Sequence, residues 1–178
     1  MGAGGVGIGA VQGARIAGAR NIVAIDPVAF KRERSREFGA THDAASVEEA
    51  AQLVTELTKG EIANVCVLTS DVAEGSYIAQ ALRLVGKRGQ VVLTALPHTT
   101  DMSADVWLFD LLSFEKQLCG SLFGSSNPRS DIFTLLDLYS SGQLKPDEPI
   151  TREYALEDIN QGYDDMVSGV NLRDLIRY

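Results

Sequence analysis

The stretch Gly2-Ala3-Gly4-Gly5-Val6-Gly7 is followed by a segment rich in small residues. The apolar residues 22–25 come next, and Asp26 directly follows them. In a G-x-G-x-x-G turn the first glycine permits a tight turn out of a strand, the second lets the backbone approach a pyrophosphate, and the third lets the next helix pack closely. Asp26 lies 19 positions after Gly7, close to the roughly 20 at which an acid accepts hydrogen bonds from an adenosine ribose. The stretch therefore predicts a dinucleotide site, with the pyrophosphate on free backbone N–H groups at the positive end of the helix.

The acid also indicates which dinucleotide is preferred. Asp26 would repel a 2′-phosphate, and the next two residues, Pro27 and Val28, offer no arginine to bind one. Lys31 and Arg32 are the nearest basic residues and leave some attraction for a phosphate. The sequence predicts NAD rather than NADP.

Composition excludes several classes of partner. The chain has 178 residues, 45% hydrophobic and 22% charged, which predicts one globular domain or slightly more. A net charge of −8 disfavours nucleic acid and anionic membranes, because both require a basic face. Cys66 and Cys119 form neither a disulfide framework nor a zinc knuckle. Without a basic-plus-apolar leader or a run of 18 apolar residues, we expect a cytoplasmic protein.

Helical and strand patterns alternate along the chain, which predicts an α/β fold with a right-handed, doubly wound parallel sheet. The predicted strands are 21–26, 40–43, 65–68, 90–94 and 117–123, and the predicted helices are 6–19, 30–38, 46–58, 74–85 and 106–114. The glycines at 5, 9 and 13 form one helical stripe, which we expect to lie against the sheet. Residues 1–124 are predicted to form the dinucleotide-binding domain.

The character of the sequence changes after Gly124. A helix at 127–139, a strand at 150–154, a helix at 157–167 and a strand at 172–176 are predicted, giving a C-terminal α+β extension over 125–178. The patterns thus divide the chain into two parts.

Several longer segments carry a family resemblance. They are A-I-D-P-V at 24–28, F-G-A-T-H at 38–42, V-G-K-R-G-Q-V-V at 85–92, G-S-L-F-G at 120–124 and I-N-Q-G-Y-D-D-M-V-S-G at 159–169. With the glycine turn, they make nearly all of the chain resemble the coenzyme-binding half of a zinc-type medium-chain alcohol dehydrogenase. D-P-V-A-F-K-R-E and L-L-D-L-Y-S-S-G-Q-L-K are most similar to the actinobacterial branch that holds NAD tightly and can be assayed with a nitroso dye. The resemblance implies a Rossmann sheet and hydride transfer between NAD and a primary alcohol or aldehyde.

The resemblance also implies the cofactor contacts. The matching positions are Gly2, Gly4, Gly5, Val6 and Gly7 for the pyrophosphate, Asp26 and Lys31 for the adenosine ribose, Leu68 and Thr69 for the adenine side, Thr94, Leu96 and Phe123 for the nicotinamide end, and Arg173 for the phosphates. Core packing is an alternative role for Thr94 and Phe123. For Arg173 the alternative is an ordinary surface arginine.

Parts of the family pattern are absent from this sequence. The family's catalytic zinc is held by two cysteines and one histidine that precede the glycine turn, and neither His42 nor His98 has cysteine or carboxylate neighbours at ligand spacing. We therefore predict neither a metal ligand nor a catalytic residue in this chain. The segments after Gly124 would pack on the catalytic half, and without it Leu135, Leu136, Leu138 and Tyr139 would present an apolar face. The family's dimer would pair strand 117–123 with its twin.

The first Rossmann strand is also absent from the pattern. In the order 3-2-1-4-5-6 that strand is central, and its five or six buried residues would each contribute roughly 1.5 to 3 kcal/mol. We therefore expect a truncated sheet of marginal stability. Two alternatives remain: a non-catalytic remnant that self-associates through its sheet edge, and an S-adenosylmethionine-dependent methyltransferase. The latter shares the glycine turn and the acid, but Leu68-Thr69-Ser70-Asp71 is a poor match to its second motif.

Overall fold

The structure is a computed structural model that describes residues 1–100 and 103–178. Its helices are α1 Gly5–Ile16, α2 Ala29–Glu37, α3 Val47–Leu57, α4 Gly75–Leu84, α5 Leu108–Ser113, α6 Pro128–Ser140 and α7 Ile159–Ser168. Its strands are β1 Val23–Ile25, β2 His42–Ala44, β3 Ala63–Leu68, β4 Val85–Leu93, β5 Gln117–Gly120, β6 Ile150–Ala155 and β7 Arg173–Arg177. Single 3₁₀ turns lie at Phe123–Ser125 and Leu156–Asp158. The predicted alternation of strand and helix is confirmed.

Every strand pair in the described residues is parallel. Strand β1 pairs with β2, and β3, β4 and β5 form a second group in that order. The C-terminal strands β6 and β7 pair with each other around α7. The helices between the strands give the doubly wound parallel arrangement that the sequence predicts.

Met1 and Gly2 occupy the gap between β1 and β3. The Met1 nitrogen donates to Val67 O at 2.7 Å, and Met1 O accepts from the Thr69 nitrogen at 2.8 Å. On the other side, the Gly2 nitrogen donates to the carbonyl oxygen of Ile25 at 2.8 Å. These bonds place the two residues where the central first strand of the 3-2-1-4-5-6 order ends. In the described residues, Met1 and Gly2 therefore link the β1–β2 pair to the β3–β4–β5 group.

Two groups of buried side chains fill the interior. One lies between α1, β1 and α2 and comprises Ala3, Ile8, Val11, Ile22, Ala24, Phe38, Ala40 and Leu172. The other packs β3 and β4 against α3 and α4 and comprises Ala44, Ala50, Cys66, Leu68, Ile78, Ala81, Leu82, Leu84, Val85 and Val91. Leu172 is the residue just before β7, so the C-terminal extension contributes a side chain to the group between α1, β1 and α2.

The three glycines along one face of α1, at positions 5, 9 and 13, do not all lie against the sheet as predicted. A Cβ at Gly5 would lie 3.1 Å from Leu172 O, but a Cβ at Gly9 or Gly13 would meet nothing within 4 Å. The prediction that all three glycines lie against the sheet is wrong for Gly9 and Gly13, which face solvent. Helical spacing alone shows that small residues share a face, but not what lies opposite that face.

Two strand boundaries also differ from the predicted ones. Strand β4 begins at Val85 and not at residue 90, because α4 runs directly into it and Val85 pairs with Ala63 ahead of a register shift. Strand β5 ends at Gly120 and does not reach Phe123. Phe123 has a φ of 47° and starts a 3₁₀ turn, which is incompatible with an extended strand.

Helix α6 lies on the surface. None of its 13 residues, all of which the structure describes, is buried, and Leu135, Leu136 and Tyr139 are 47%, 52% and 46% exposed. The expected apolar face of this helix is therefore present, although Leu138 is only partly exposed. Across residues 1–100 and 103–178, the structure has no helix with the length and apolar character needed to cross a membrane.

Candidate nucleotide-binding site

The glycine turn is built by close backbone contacts. Gly2 has a φ of 90°, a left-handed conformation that favours glycine, and a Cβ there would lie 2.7 Å from Thr69 O. A Cβ at Gly7 would lie 2.0 Å from Gly2 O, so α1 packs directly on the turn that precedes it. At Gly4, in contrast, a Cβ would meet nothing within 4 Å. The turn is closed on its protein side and open at Gly4, as a cradle for an approaching ligand requires.

The positive end of α1 adjoins that opening. Gly4 is the N-cap and supplies no side chain, and the first intrahelical bond runs from the Ile8 nitrogen to Gly4 O at 2.9 Å. The amides of Gly5, Val6 and Gly7 precede this bond and have no partner within the helix. With Val6 66% exposed, this end of α1 presents N–H donors and a positive dipole suited to an anion.

Asp26 follows β1 and lies against the turn. Its Oδ2 accepts from the Ala3 nitrogen at 2.8 Å, and its Oδ1 accepts from the Val28 nitrogen at 2.9 Å. The residue is 6% exposed. A carboxylate has about four lone-pair sites, so acceptor capacity remains on both oxygens after these two bonds. Asp26 is thus fixed in orientation and still has lone pairs that can accept hydrogen bonds from ribose hydroxyl groups.

The basic residues near Asp26 make other contacts. Arg32 Nη1 donates to the carbonyl oxygens of Asp26 and Pro27 at 2.8 and 2.9 Å, while its Nε contacts Asp43 Oδ2 at 3.2 Å. Lys31 extends toward the C-terminal end of α7, where its Nζ lies 3.6 Å from the position of a Cβ at Gly169. Neither cation therefore contacts the Asp26 carboxylate.

Arg173 reaches the glycine turn from the C-terminal extension. Its Nε lies 3.9 Å from the position of a Cβ at Gly5, and the residue is exposed. Its exposure agrees with the alternative given in the sequence analysis, an ordinary surface arginine. Its placement beside the positive end of α1 gives it a geometry that fits an anion there.

Thr69 and Thr94 stabilise the ends of β3 and β4. The Thr69 hydroxyl donates toward Gly2 O at 2.7 Å and Met1 O at 3.0 Å, and the Thr94 hydroxyl donates to Leu68 O at 2.7 Å. The Leu68 side chain is 1% exposed and belongs to the core. These three residues therefore lie at the carboxyl ends of the central strands, where ligands bind in open parallel sheets, but their side chains are engaged within the protein.

Replacement of Thr69 by valine tests this bracing role. We expect the free energy of unfolding to fall by about 1 kcal/mol, because Gly2 O and Met1 O lose a hydroxyl donor. The matched control is Thr55→Val, which removes a hydroxyl from the exposed Thr55 on α3 and should change stability by less than about 0.5 kcal/mol. Equal urea midpoints for the two variants would contradict the role.

Leu96 and Phe123 are both exposed. Leu96 is 70% exposed and its carbonyl accepts from the Ala73 nitrogen at 3.2 Å. Phe123 is 88% exposed, so its alternative role in core packing is wrong. Both follow strands of the β3–β5 group, on the same side as Thr69 and Asp26. The structure therefore places two open apolar side chains beyond the strand ends.

Two parts of the site have no signature in the sequence. The Ala3 amide, which holds Asp26, is a backbone donor that any residue type could supply. The Thr69 contact with the turn joins positions 67 residues apart, and strand periodicity does not indicate it. A pairing of the β3 terminus with the glycine turn could be inferred only from the strand order.

The donor set does not fit a zinc ion. In the described residues no three His, Cys, Asp or Glu side chains gather at a separation that could hold a metal. Cys66 is buried and its burial raises the pKa of the thiol, which opposes the thiolate form that binds zinc. His42 Nδ1 lies 2.9 Å from the Thr41 hydroxyl and His98 is exposed. The site just described is suited to a nucleotide and not to a metal.

Comparison with known proteins agrees with this geometry. The model of the zinc-binding dehydrogenase family matches residues 5–141. The NDMA-dependent alcohol dehydrogenase of Amycolatopsis methanolica is 45% identical over 99% of this chain, which corresponds to 48% of that relative. An alcohol dehydrogenase zinc-binding domain protein from Burkholderia ambifaria has a TM-score of 0.90 and 31% identity, covering 99% of this chain and 47% of that one.

A third protein was solved with a cofactor. A putative zinc-binding dehydrogenase from Sinorhizobium meliloti, bound to NADP, has a TM-score of 0.73 and 26% identity over 89% of this chain and 45% of that one. The chain spans about half the length of the curated relatives it matches. The resemblance inferred from the motifs is confirmed, and because the family model covers most of its residues, the chain belongs to the zinc-binding dehydrogenase family.

Proposed function

We propose that the chain is the NAD-binding portion of an alcohol dehydrogenase that transfers hydride between NAD and a primary alcohol or aldehyde. The amides of Gly5, Val6 and Gly7 would bind the pyrophosphate, and Arg173 would add a cation to the same phosphates. Asp26 would accept hydrogen bonds from the adenosine ribose. Bound NAD would accept the hydride that the alcohol carbon loses, and the hydroxyl proton would be released to solvent as the carbonyl forms.

One observation supports this proposal above the others. Asp26 Oδ2 accepts a hydrogen bond from the Ala3 nitrogen at 2.8 Å. This bond fixes the distance between the Asp26 carboxylate, which would accept from the ribose, and the glycine turn. Gly4, the next residue, is where a Cβ would meet nothing within 4 Å. A dinucleotide needs both features together, because its ribose and its pyrophosphate are covalently joined.

NAD is preferred over NADP in this proposal. A 2′-phosphate would face the Asp26 carboxylate at close range, and like charges at such separations repel. Arg32, the nearest arginine, already contacts Asp43 and two carbonyl oxygens. A putative zinc-binding dehydrogenase of similar fold was solved with NADP, so the proposed preference of this chain for NAD rests on the local charge at Asp26.

Titration with NADH tests the proposal. We expect the nicotinamide fluorescence to change saturably when the purified chain is added, with weaker binding of NADPH. An unchanged signal at millimolar NADH would exclude the function.

The alcohol-converting centre would require a second part. Exposed apolar side chains along α6, among them Ile132, Phe133 and Leu136 at 54%, 70% and 52% exposure, would dock on a catalytic half that carries the substrate pocket. This division agrees with the length of the relatives, of which the chain covers about half.

Removal of the Arg173 guanidinium should weaken NADH binding selectively. We expect Arg173→Ala to raise the NADH dissociation constant about tenfold, the lower end for losing a charged hydrogen bond, and to reduce its dependence on salt. Adenosine, which has no phosphate, should bind Arg173→Ala and wild type equally. Arg88→Ala is the control, since the Arg88 side chain is 82% exposed and lies beside Glu115. Equal losses for NADH and adenosine would contradict a phosphate contact.

Self-association is a second candidate, favoured by the edge of the β3–β4–β5 group. Strand β5 is its outer member, and Leu118, Leu122 and Phe123 nearby are 41%, 69% and 88% exposed. A homodimer pairing residues 117–123 with a twin would bury these side chains. If the chain self-associated in this way but did not bind the cofactor, it would be a non-catalytic remnant. Light scattering that shows a monomer at high concentration would exclude it.

A further inference from the structure

Gln12 is a buried polar side chain with two partners on one distant residue. It lies on α1 and is 2% exposed. Its Nε2 donates to Lys145 O at 3.1 Å, and its Oε1 accepts from the Lys145 nitrogen at 2.8 Å. The side-chain amide thus satisfies both backbone groups of Lys145, which is 133 residues away in the sequence. The Gln12 amide pairs with the N–H and C=O groups of Lys145 as the backbone of a neighbouring strand would.

This contact joins the two halves of the candidate site. Helix α1 carries the glycine turn at its N-terminal end, whereas Lys145 lies in the segment that leads from α6 to β6. Strand β6 pairs with β7, and β7 begins at Arg173. Leu172, the residue before Arg173, also packs in the α1 core, so the position of Arg173 relative to Gly5 depends on this anchor together with the attachment of the segment after α6 to α1.

Other contacts support the same attachment without replacing Gln12. Arg15 Nη2 donates to Gln143 O, and Arg34 Nη2 donates to Glu148 O at 3.1 Å, but both bonds are exposed to solvent. Leu172 contributes an apolar anchor in the α1 core. Loss of the Gln12 amide would remove two part-buried hydrogen bonds to Lys145 while the apolar anchor kept the extension in place. We expect the extension to loosen and not to detach.

We propose that Gln12 is a positioning residue that clamps the C-terminal extension to α1 and thereby holds Arg173 beside the anion site. This inference rests on the proposed binding of NAD. It assigns to a residue outside the glycine motif a role in pyrophosphate affinity. Gln12 itself does not touch the cofactor.

The main variant is Gln12→Met, which keeps an unbranched side chain of similar length and removes both polar atoms. Amide hydrogen exchange should become about tenfold faster over residues 143–155 and 173–177, with α3 and α4 unchanged. The NADH dissociation constant should rise about fivefold. The matched control is Gln52→Met, because Gln52 is an exposed glutamine on α3; it should change neither quantity.

A double-mutant cycle separates positioning from a general structural effect. If Gln12 acts through Arg173, Gln12→Met should weaken NADH binding less than about 1.5-fold when Arg173→Ala is already present. Gln12→Glu provides a rescue, since burial favours the neutral carboxyl, which can supply one donor and one acceptor, the two that Gln12 supplies to Lys145. Its exchange protection should be restored at pH 5.5 relative to pH 8.5, whereas that of Gln12→Met should not.

Each other outcome overturns the inference. Unchanged exchange over 143–155 in Gln12→Met would show that Gln12 is not a clamp, whatever the cofactor does. Faster exchange with unchanged NADH affinity, or an equal loss in both arginine backgrounds, would show a clamp that positions nothing for the cofactor. A wild-type chain that binds no NADH would remove the proposed function and this inference together, and it is recognised by the wild-type titration alone.

Discussion

Alanine at position 7 is expected to abolish NADH binding and to lower the free energy of unfolding by about 3 kcal/mol. The added Cβ would lie 2.0 Å from Gly2 O and 3.1 Å from Thr69 Oγ1, and the first of these atoms belongs to backbone that cannot rotate away. Helix α1 would have to move off the turn, taking the amides of Gly5 and Val6 out of line with the anion site. Chemical denaturation and NADH titration of Gly7→Ala measure the two effects.

Gly9→Ala provides the matched control on the same helix. A Cβ at Gly9 would meet nothing within 4 Å, so alanine should stabilise the helix by about 0.5–1 kcal/mol and leave NADH affinity unchanged. If Gly7→Ala and Gly9→Ala had equal stabilities, or if Gly7→Ala still bound NADH normally, the packing of α1 on the turn would be wrong.

Asparagine at position 26 is expected to weaken NADH binding about 100-fold, as for the loss of a charged hydrogen-bond acceptor. Both carboxylate oxygens of Asp26 accept backbone N–H groups, but asparagine has only one oxygen. Its NH₂ group must therefore face either the Ala3 or the Val28 nitrogen, donor against donor. The side chain would be displaced and would also lose the charge that attracts ribose hydroxyls.

The same substitution should narrow the preference for NADH over NADPH, because the repulsion of a 2′-phosphate disappears. Parallel calorimetric titrations of Asp26→Asn with both cofactors measure this ratio. Asp164→Asn makes the same chemical change at the exposed Asp164 on α7 and should leave the ratio as in wild type. An unaltered NADH-to-NADPH ratio in Asp26→Asn would contradict the assigned role.

The sequence was sufficient for the site's framework because that framework is local. The spacing of Gly2, Gly4 and Gly7 and the distance to Asp26 reflect a single strand–turn–helix–strand unit, whose contacts lie within 26 residues. The structure brings Asp26 next to the glycine turn, where its Oδ2 accepts from the Ala3 nitrogen at 2.8 Å. The match to the dehydrogenase family model over residues 5–141 also decides against the methyltransferase alternative, which has the same local unit.

Contacts between distant segments could not be predicted in this way. In the sequence, Gln12 is a single polar residue on a helix rich in small residues. Its partner Lys145 can be found only from the course of the chain after α6 in the structure. The exposure of Gly9 and Gly13 depends likewise on what lies opposite α1. The predicted start of β4 at residue 90 is late, since Val85 already pairs with Ala63 of β3.

Resemblance assigned positions but not atoms. The resemblance places Leu68 and Thr69 on the adenine side, but the Leu68 side chain is in the core and the Thr69 hydroxyl donates to the carbonyl oxygen of Gly2 in the glycine turn. Such a distinction requires coordinates, since the residue types alone fit both arrangements.

Amide chemical shifts during an NADH titration test the central claim most directly, namely that the pyrophosphate lies on the positive end of α1 with the ribose on Asp26. We predict saturable shifts centred on Gly4, Gly5, Val6 and Gly7 and on residues 26–28, with the amides of α3 unaffected. Shifts centred elsewhere, or none at millimolar NADH, would contradict the account.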